Sequence, residues 1–334
     1  MKRKKKRRKW PTVFVILLII VGIPACYVLY QIDKIQSYDL NTDNITINDI
    51  KNKDIASYRN IAIFGVDSRE NALKENTRSD SIIIASINKK TKDVNLVSIY
   101  RDTYVNIDGH GYTKLGHAYA YGGPELALST INKNFDLNIT EFVTVNFSAV
   151  ANVVDSLGGI TLDISEAELD YVNDYTRDIN KINKSNSPYL KKAGKQVVNG
   201  TQATAYSRVR YTSGGDYKRT ERQRIVIGQI LAKAKSTSVT NIASVANTVL
   251  PQIYTSLGTT EILGLSKDVF SYDMKEDSGF PFEKESKKIK GTSYVLANDL
   301  SANVTNLHKF LFGTKNYKPS TVVREISSDI HKVY

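Results

Sequence analysis

Two aspartates lie beside a pair of apolar runs early in the body of the chain. Asp67 follows the run 60–66, and Asp80 opens the run 80–87. If these runs are neighbouring strands, both carboxylates lie on one rim of a sheet, where α/β proteins commonly build their sites. Two carboxylates beside a phosphate suit Mg²⁺, which prefers hard oxygen ligands. The alternative is that Asp67 is a turn residue and Asp80 a surface residue, and spacing alone does not decide.

A second segment, 206–224, is dense in arginine. Arg208 and Arg210 share a face only if the chain is extended there, whereas Arg219 and Arg222 share a face of a helix. The planar guanidinium suits bidentate phosphate contacts, so an arginine-dense stretch folded around a Gly-Gly turn could surround a pyrophosphate. The alternative is a solvated basic helix face with Glu221 as partner, and we expect Arg224 to be of that kind.

A third, weaker signal is Arg101-Asp102-Thr103 at the end of the strand-like run 93–100. Other chemistries lack their motifs, because the chain has no G-x-S-x-G sequence and no P-loop. Its four histidines lack metal-ligand spacing, and its single cysteine, Cys26, excludes an intramolecular disulfide.

Short apolar runs alternate with helical patterns through the body of the chain. Runs 60–66, 80–87, 93–100, 141–147 and 160–164 predict strands, with a short connection at 88–93. Helices are predicted at 113–135, interrupted by Gly122-Gly123-Pro124, and at 148–157, 200–206, 219–235, 241–250, 260–272 and 299–311. This alternation predicts an α/β domain over 58–313, with a mixed central sheet and helices on both faces.

The remaining polar stretches give weaker predictions. We expect 170–199 to be a surface excursion, 293–296 a further strand and 314–334 a frayed C-terminal tail. Residues 31–57 are rich in Asn and Asp and predict a stalk, with a short strand near 45–47.

The N-terminus predicts one transmembrane helix. Residues 12–30 carry no charge, and nineteen helical residues span about 28 Å, close to the hydrocarbon thickness of a bilayer. The basic run 2–9 supplies eight charges to a net charge of +12. It marks 1–11 as a cytoplasmic tail and the body as extracytoplasmic, in a single-pass protein of the cell membrane. A cleaved signal peptide, a lipoprotein signal and a nucleic-acid-binding run explain less of this pattern, so we expect no nucleic-acid partner.

The chain resembles the LytR-CpsA-Psr family of bacterial cell-wall ligases. The resemblance covers roughly 60–235 and rests on colinear stretches: IAIFGVDSRE, TRSDSIIIASIN, VNLVSIYRDTYV, AYAYGGPELA, VVDSLGGITLDI and SRVRYTSGGDYKRTERQR. It implies a phosphotransferase that moves a glycopolymer phosphate, such as teichoic acid or capsular polysaccharide, from a polyprenyl-pyrophosphate carrier to a peptidoglycan sugar hydroxyl. The polyprenyl chain would lie in an apolar tunnel between sheet and helices.

The resemblance also implies residue roles. Asp67 and Asp80 would hold Mg²⁺ or Mn²⁺, and catalytic roles fall to Arg101, Asp102 and Arg219, with Asp102 shaping the site or orienting Arg101. The implied pyrophosphate ligands are Arg78, Arg101, Arg208, Arg210, Arg219 and Arg222. The chain departs from the family at Tyr100, where proline is common, and at Leu115-Gly116-His117, where a Lys-Ile-Asn type of sequence is usual.

Three rival functions remain open on the sequence. A lipid-pyrophosphate hydrolase would use the same site with water as acceptor, and a polyprenyl-lipid binder would use it without catalysis. A membrane-associated transcriptional regulator would use the basic N-terminus, although eight charges beside a membrane span give only nonspecific attachment to DNA.

Overall fold

The computed structural model describes residues 36–66, 73 and 77–333. The predicted cytoplasmic tail 1–11, the predicted anchor 12–30 and Asp67 lie outside the described residues. In the part of the chain that is described, no helix combines the length and the apolar character needed to cross a bilayer.

A seven-stranded mixed sheet forms the centre of the domain, in the order β1-β10-β7-β2-β3-β4-β11. The described strands are β1 Gln36–Ser37, β2 Tyr58–Val66, β3 Ser79–Asn88, β4 Asp93–Ile99, β5 Tyr104–Ile107, β6 Gly111–Lys114, β7 Glu141–Asn146, β8 Ile160–Ile164, β9 Gly194–Val198, β10 Tyr254–Thr255, β11 Asp273–Phe280, β12 Lys284–Ile289 and β13 Thr292–Ala297. Strand β2 pairs with β3 antiparallel and with β7 parallel, so the sheet is mixed as predicted.

Both faces of the sheet are covered. The described helices are α1 Gly116–Phe135, α2 Phe147–Ser156, α3 Glu166–Asn183, α4 Gly200–Arg208, α5 Gly215–Lys235, α6 Val239–Val249, α7 Thr259–Lys267, α8 Leu300–Phe312 and α9 Thr321–His331. Along β3, Ile82 and Ile84 enter one core with α1, α8 and α9, whereas Ile83 and Ala85 enter another with α5 and α7. Burial on both faces explains the nearly continuous apolar run that predicted this strand.

The prediction of a stalk at 31–57 is wrong for its described part. Gln36–Ser37 joins the sheet beside β10, no strand forms at 45–47, and Ile45 and Ile55 are buried in the main core. These two isoleucines help to hold the segment on the domain, because each buried side chain contributes about 1.5–3 kcal/mol.

Two further polar segments are also more ordered than predicted. The stretch predicted as a surface excursion contains most of α3 and all of β9, and Val172 and Ile179 are buried in a separate core with α4 and α5. The expected frayed tail contains α9, whose Val323, Ile326 and Ile330 are buried. Their spacing of three and four residues places them on one helix face, which packs on the core.

Candidate functional site

The strand register brings the predicted chemistry to one rim of the sheet. Strand β2 ends at Val66, which lies opposite Ser79, next to Asp80 at the start of β3. Strand β4 ends at Ile99, two residues before Arg101. Asp67 lies outside the described residues, so Asp80 alone of the predicted metal pair can be located.

Arg101 and Arg219 converge on Asp80 from different elements. Arg101 Nη1 donates to Asp80 Oδ1 at 2.5 Å, and Arg219 Nη2 donates to the Asp80 carbonyl oxygen at 2.9 Å. Asp216, in the first turn of α5, completes the cluster, because Arg219 Nη2 lies 3.0 Å and Arg101 Nη2 4.0 Å from its Oδ1. The two predicted catalytic arginines are therefore neighbours, linked by the Asp216 carboxylate and by the side chain and backbone of Asp80.

The two arginines differ in their electrostatic surroundings. Arg219 is buried, and burial lowers the pKa of its guanidinium; Asp216 opposes this, and Arg101 and Arg210 lower the pKa further. Burial also acts to lower the pKa of Arg101, but Asp80 and Asp216 outweigh it and raise that pKa. The Nε atoms of both arginines are buried without a hydrogen-bond partner among the described residues. Buried cationic donors left unpaired are suited to an anionic ligand.

A polar cavity of about 140 Å³ opens beside this cluster. Asp80 and Arg101 line it together with Arg78, Asp102, Ser79, Lys114, Gly116 and His117. Lys114 Nζ lies 3.0 Å from Asp102 Oδ1, so Asp102 pairs with a lysine that the sequence prediction missed. The cavity is tightly bounded at Gly116, where a Cβ would stand 3.0 Å from the Ser79 carbonyl oxygen and 3.2 Å from Arg101 Cβ.

His117 is part of this cavity. Burial lowers the pKa of its imidazole, and the nearby Arg78 and Lys114 lower it further, whereas Asp102 opposes them. These effects favour the neutral imidazole, whose Nδ1 lies 3.1 Å from Thr113 Oγ1.

The other predicted pyrophosphate ligands occupy three kinds of surroundings. Arg208 stacks over the Phe147 ring at 5.0 Å, and Arg210 is exposed in the loop 209–214, close enough to Arg219 to affect its pKa. Arg222 is buried and donates to Glu168 Oε1, the Val209 carbonyl oxygen and Thr212 Oγ1. These contacts give Arg222 the geometry of a brace for the loop that carries Arg210.

Arg224 corrects a prediction. It is buried and donates from Nε to Asp277 Oδ1 at 2.6 Å, so it does not belong to a solvated helix face. This partner could not be predicted, because Asp277 lies on the polar edge strand β11, which no apolar run indicates. Glu221 pairs with Lys218 instead of with an arginine.

An apolar cavity of about 70 Å³ lies between the sheet and helices α2 and α5. Its lining includes Ile63, Gly65, Ser81, Ile83, Val145 and Gln223. It adjoins the arginine cluster through the chain, because Ser81 follows Asp80 and Gln223 lies one helical turn after Arg219.

Metal-binding capacity is limited in the part of the chain that the structure describes. No group of three or more carboxylate, histidine or cysteine side chains there is placed to hold a metal ion. Asp80 uses Oδ1 for Arg101, so Oδ2 is its available oxygen. A metal at this rim would need a further ligand, for which Asp67 is the predicted candidate.

Comparison with known proteins decides the family. The model of the LytR_cpsA_psr family matches residues 28–309, which is most of the chain. The chain belongs to the LytR_cpsA_psr family. The resemblance found in the sequence motifs is thereby confirmed.

Relatives within the LytR_cpsA_psr family have related names. A TagU polyisoprenyl-teichoic acid–peptidoglycan teichoic acid transferase of Oceanobacillus iheyensis is 30% identical over 328 residues, 91% of this chain and 95% of that relative. The transferase of the same name from Enterococcus faecalis is 34% identical over 211 residues, 62% of this chain and 64% of that relative. A solved structure of the family protein YwtF (TagT) with bound octaprenyl pyrophosphate lipid is 25% identical, with a TM-score of 0.61, covering 83% of this chain and all of that one.

Tyr100, the departure from the usual proline of the LytR_cpsA_psr family, is accommodated by its neighbours. Its ring meets the Tyr217 ring edge to face at 4.6 Å, and Lys284 Nζ lies 5.1 Å from both ring centroids. A Cβ at Gly279 would stand 2.0 Å from the Tyr100 hydroxyl oxygen. Glycine at 279 is thus what makes room for a tyrosine in front of Arg101.

Proposed function

We propose that the protein is a membrane-anchored, extracytoplasmic transferase. It moves a glycopolymer phosphate of the teichoic acid class from a polyprenyl-pyrophosphate carrier to a peptidoglycan sugar hydroxyl, and it releases polyprenyl phosphate. Membership of the LytR_cpsA_psr family, the names of the relatives and the lipid bound in the YwtF (TagT) structure support this proposal. The uncharged segment 12–30 after a basic run supports the anchor.

The observation that carries the proposal is the pair Arg101 and Arg219 at the sheet rim. Two guanidinium groups share Asp80 and Asp216, and the buried Nε of each has no hydrogen-bond partner in the part of the chain that the structure describes. A pyrophosphate presents the oxygens that such donors lack, and the developing charge on the leaving polyprenyl phosphate would strengthen these bonds. Positioning and charge neutralisation would therefore account for the catalysis.

The two cavities suit the two halves of such a carrier. The polar cavity lined by Arg78, Asp102 and Lys114 would take the phosphate and sugar side. The apolar cavity would take the start of the polyprenyl chain. Its 70 Å³ is about twice the ~30 Å³ that one water molecule occupies in the liquid, so α2 and α5 would have to separate to admit the chain.

A divalent cation fits the same proposal. Asp80 Oδ2 and the predicted Asp67 would hold Mg²⁺ or Mn²⁺, which would neutralise charge on the pyrophosphate oxygens. Asp102, paired with Lys114, would fix the wall of the cavity and the backbone next to Arg101.

The proposal is tested by reconstituting the full chain with a lipid-pyrophosphate glycopolymer and peptidoglycan oligomers. Polyprenyl phosphate release and polymer attachment are measured together. Arg219→Lys keeps the charge but removes the planar guanidinium and its buried Nε donor, so we expect a fall in kcat of roughly 10²-fold, the range for loss of one transition-state donor.

The matched control is Arg177→Lys, at an arginine that pairs with Asp174 on the surface of α3 and should leave the rate unchanged. If polyprenyl phosphate is released at the same rate without peptidoglycan, the protein is a hydrolase instead. Wild-type turnover by Arg219→Lys would show that the reaction occurs elsewhere.

A further inference from the structure

The direction in which the chain enters the sheet relates the active rim to the preceding residues. Gln36 pairs with Tyr254, Tyr254 with Thr144, and Thr144 with Phe64. Strand β1 is parallel to β10, β10 is antiparallel to β7, and β7 is parallel to β2. Strand β1 therefore runs in the opposite direction to β2. Strand β2 runs towards the rim that carries Asp80, so β1 begins at its end nearer that rim and runs away from it.

The residues after β1 confirm this direction. The Thr46 N–H donates to Ser129 Oγ, and Asn48 Nδ2 donates to the Lys133 carbonyl oxygen at 2.8 Å. Later residues of the segment thus meet later residues of α1, which begins at Gly116 beside Arg101. The segment runs away from the active rim along the helix, before β2 returns to it.

The connection to the predicted anchor is short. Five residues, 31–35, separate Tyr30 from Gln36, and an extended chain spans at most about 3.5 Å per residue, hence roughly 20 Å in all. Gln36 is level with Phe64, two residues or about 7 Å below Val66. The opposite end of the sheet, at Tyr58, lies about 20 Å the other way, so the anchor reaches it only if the whole connection folds back along the domain.

The rim carries the side chains that favour a membrane interface. Tyr211 in the loop 209–214 is 72% exposed, and Tyr121 in the second turn of α1 is 48% exposed. Two exposed arginines lie near the same cluster, because Arg78 lines the polar cavity with Asp80 and Arg210 is close enough to Arg219 to lower its pKa. Tyrosine rings lie at the level of lipid headgroups, and arginines attract anionic phospholipids.

We propose that this rim lies on the anionic phospholipid headgroups of the bilayer that holds residues 12–30, with Tyr211 and Tyr121 as its interfacial contacts. The inference rests on the anchor of the proposed function. It places the Arg101–Arg219 cluster at headgroup height, so a carrier lipid could present its pyrophosphate while most of its chain stays in the bilayer.

Site-directed fluorescence quenching tests the orientation in the full chain. Cys26→Ser removes the single native cysteine, after which Tyr211→Cys labels the rim and Lys315→Cys labels the far end, where Thr314 bonds to Asn52 and Asp54. Each labelled protein is inserted in vesicles of phosphatidylcholine and phosphatidylglycerol that carry a quencher at the headgroup end of the acyl chain. We expect several-fold stronger quenching at position 211 than at position 315.

Equal quenching at the two positions, or stronger quenching at 315, would overturn the proposal, as would failure of the protein to float with the vesicles. Turnover is measured on the same vesicles. Catalysis with equal quenching would reject the orientation and leave the proposed function intact. Stronger quenching at position 211 without catalysis would support the orientation and contradict the proposed function.

Discussion

At the scale of single residues, the arginines of the segment 206–224 have different tasks although the sequence presents them alike. Arg219 bonds to Asp80 and Asp216, and its Nε has no partner among the residues described, as expected of a ligand for an anion. Arg222, three residues on, donates from Nε, Nη1 and Nη2 to protein groups. Spacing predicted a shared helix face, but it could not reveal Glu168, which arrives from α3, a helix hidden in a polar stretch.

The buried pair of Arg222 and Glu168 gives a prediction of stability. Burial acts to raise the pKa of Glu168, but bonds from Ser165 and Arg222 outweigh it and lower that pKa, so the carboxylate is charged. Glu168→Gln leaves Arg222 as a buried cation without its counterion, and we expect a loss of about 3–5 kcal/mol in the free energy of unfolding. Glu166→Gln, at an exposed glutamate in the same turn, is the control and should cost under about 0.5 kcal/mol. Urea denaturation followed by circular dichroism measures both, and equal losses would contradict the prediction.

At the scale of elements, predictability follows the apolar content of each segment. Strands β2, β3 and β4 are buried on both faces, so continuous apolar runs predict them. Gly122 and Gly123 interrupt α1 with non-helical backbone, as the sequence predicted. Strands β11 and β12 bury only Phe280 between them, so no apolar run indicates either strand. Helix α9 buries only Val323, Ile326 and Ile330. Three apolar residues do not by themselves predict a helix, and their common face is recognisable only when the core on which it packs is known.

Helix α8 carries a buried histidine that should make stability depend on pH. His308 accepts from Asn52 Nδ2 at Nδ1 and faces the Phe135 carbonyl oxygen with Nε2, while its ring stacks on Tyr317 at 3.7 Å. Burial lowers its pKa to about 4 from the ordinary 6.5, although Phe135 and Asp136 oppose the shift. Between pH 6.5 and pH 4, His308 is therefore protonated in the unfolded chain but not in the folded chain.

Stability from this group is complete above pH 6.5 and falls as the pH drops to 4, by about 3 kcal/mol in all. The free energy of unfolding is measured by denaturation at pH 7, 6 and 5 for wild type and for His308→Gln. It should fall more steeply with decreasing pH in wild type than in the variant. His110→Gln, at an exposed loop histidine, should keep the wild-type slope. Parallel slopes for wild type and His308→Gln would contradict the assignment.

At the scale of the whole molecule, the strand register brings residues that the sequence motifs singled out separately to one rim of the sheet. Asp80, Arg101 and Arg219 were found from residue type and position alone, and the structure brings them together. Asp216 and Lys114 were missed, since each lies in an unremarkable local sequence and joins the site only through folding. The predicted domain limits of 58 and 313 were too narrow for a similar reason: both flanking segments are fastened to the core by a few buried side chains.

Those two flanking segments share one buried anchor point, Asp136. Its Oδ1 accepts from Asn48 Nδ2 at 2.6 Å and from Ser320 Oγ at 2.7 Å, and its Oδ2 accepts from the Ser320 N–H at 2.7 Å and from the Tyr317 hydroxyl at 3.1 Å. Asp136→Asn tolerates the backbone, whose φ of +52° asparagine accepts readily, but it turns one acceptor into a donor facing donors. We expect the free energy of unfolding to fall by about 3 kcal/mol, since each unsatisfied buried group costs roughly 1–3 kcal/mol.

Hydrogen exchange tests whether both segments depend on this carboxylate. In Asp136→Asn, exchange should accelerate in 38–52 and in 317–331 together. The control Asp170→Asn, on the exposed side of α3, should change neither segment. Faster exchange in only one of the two segments would mean that they are held to the domain independently.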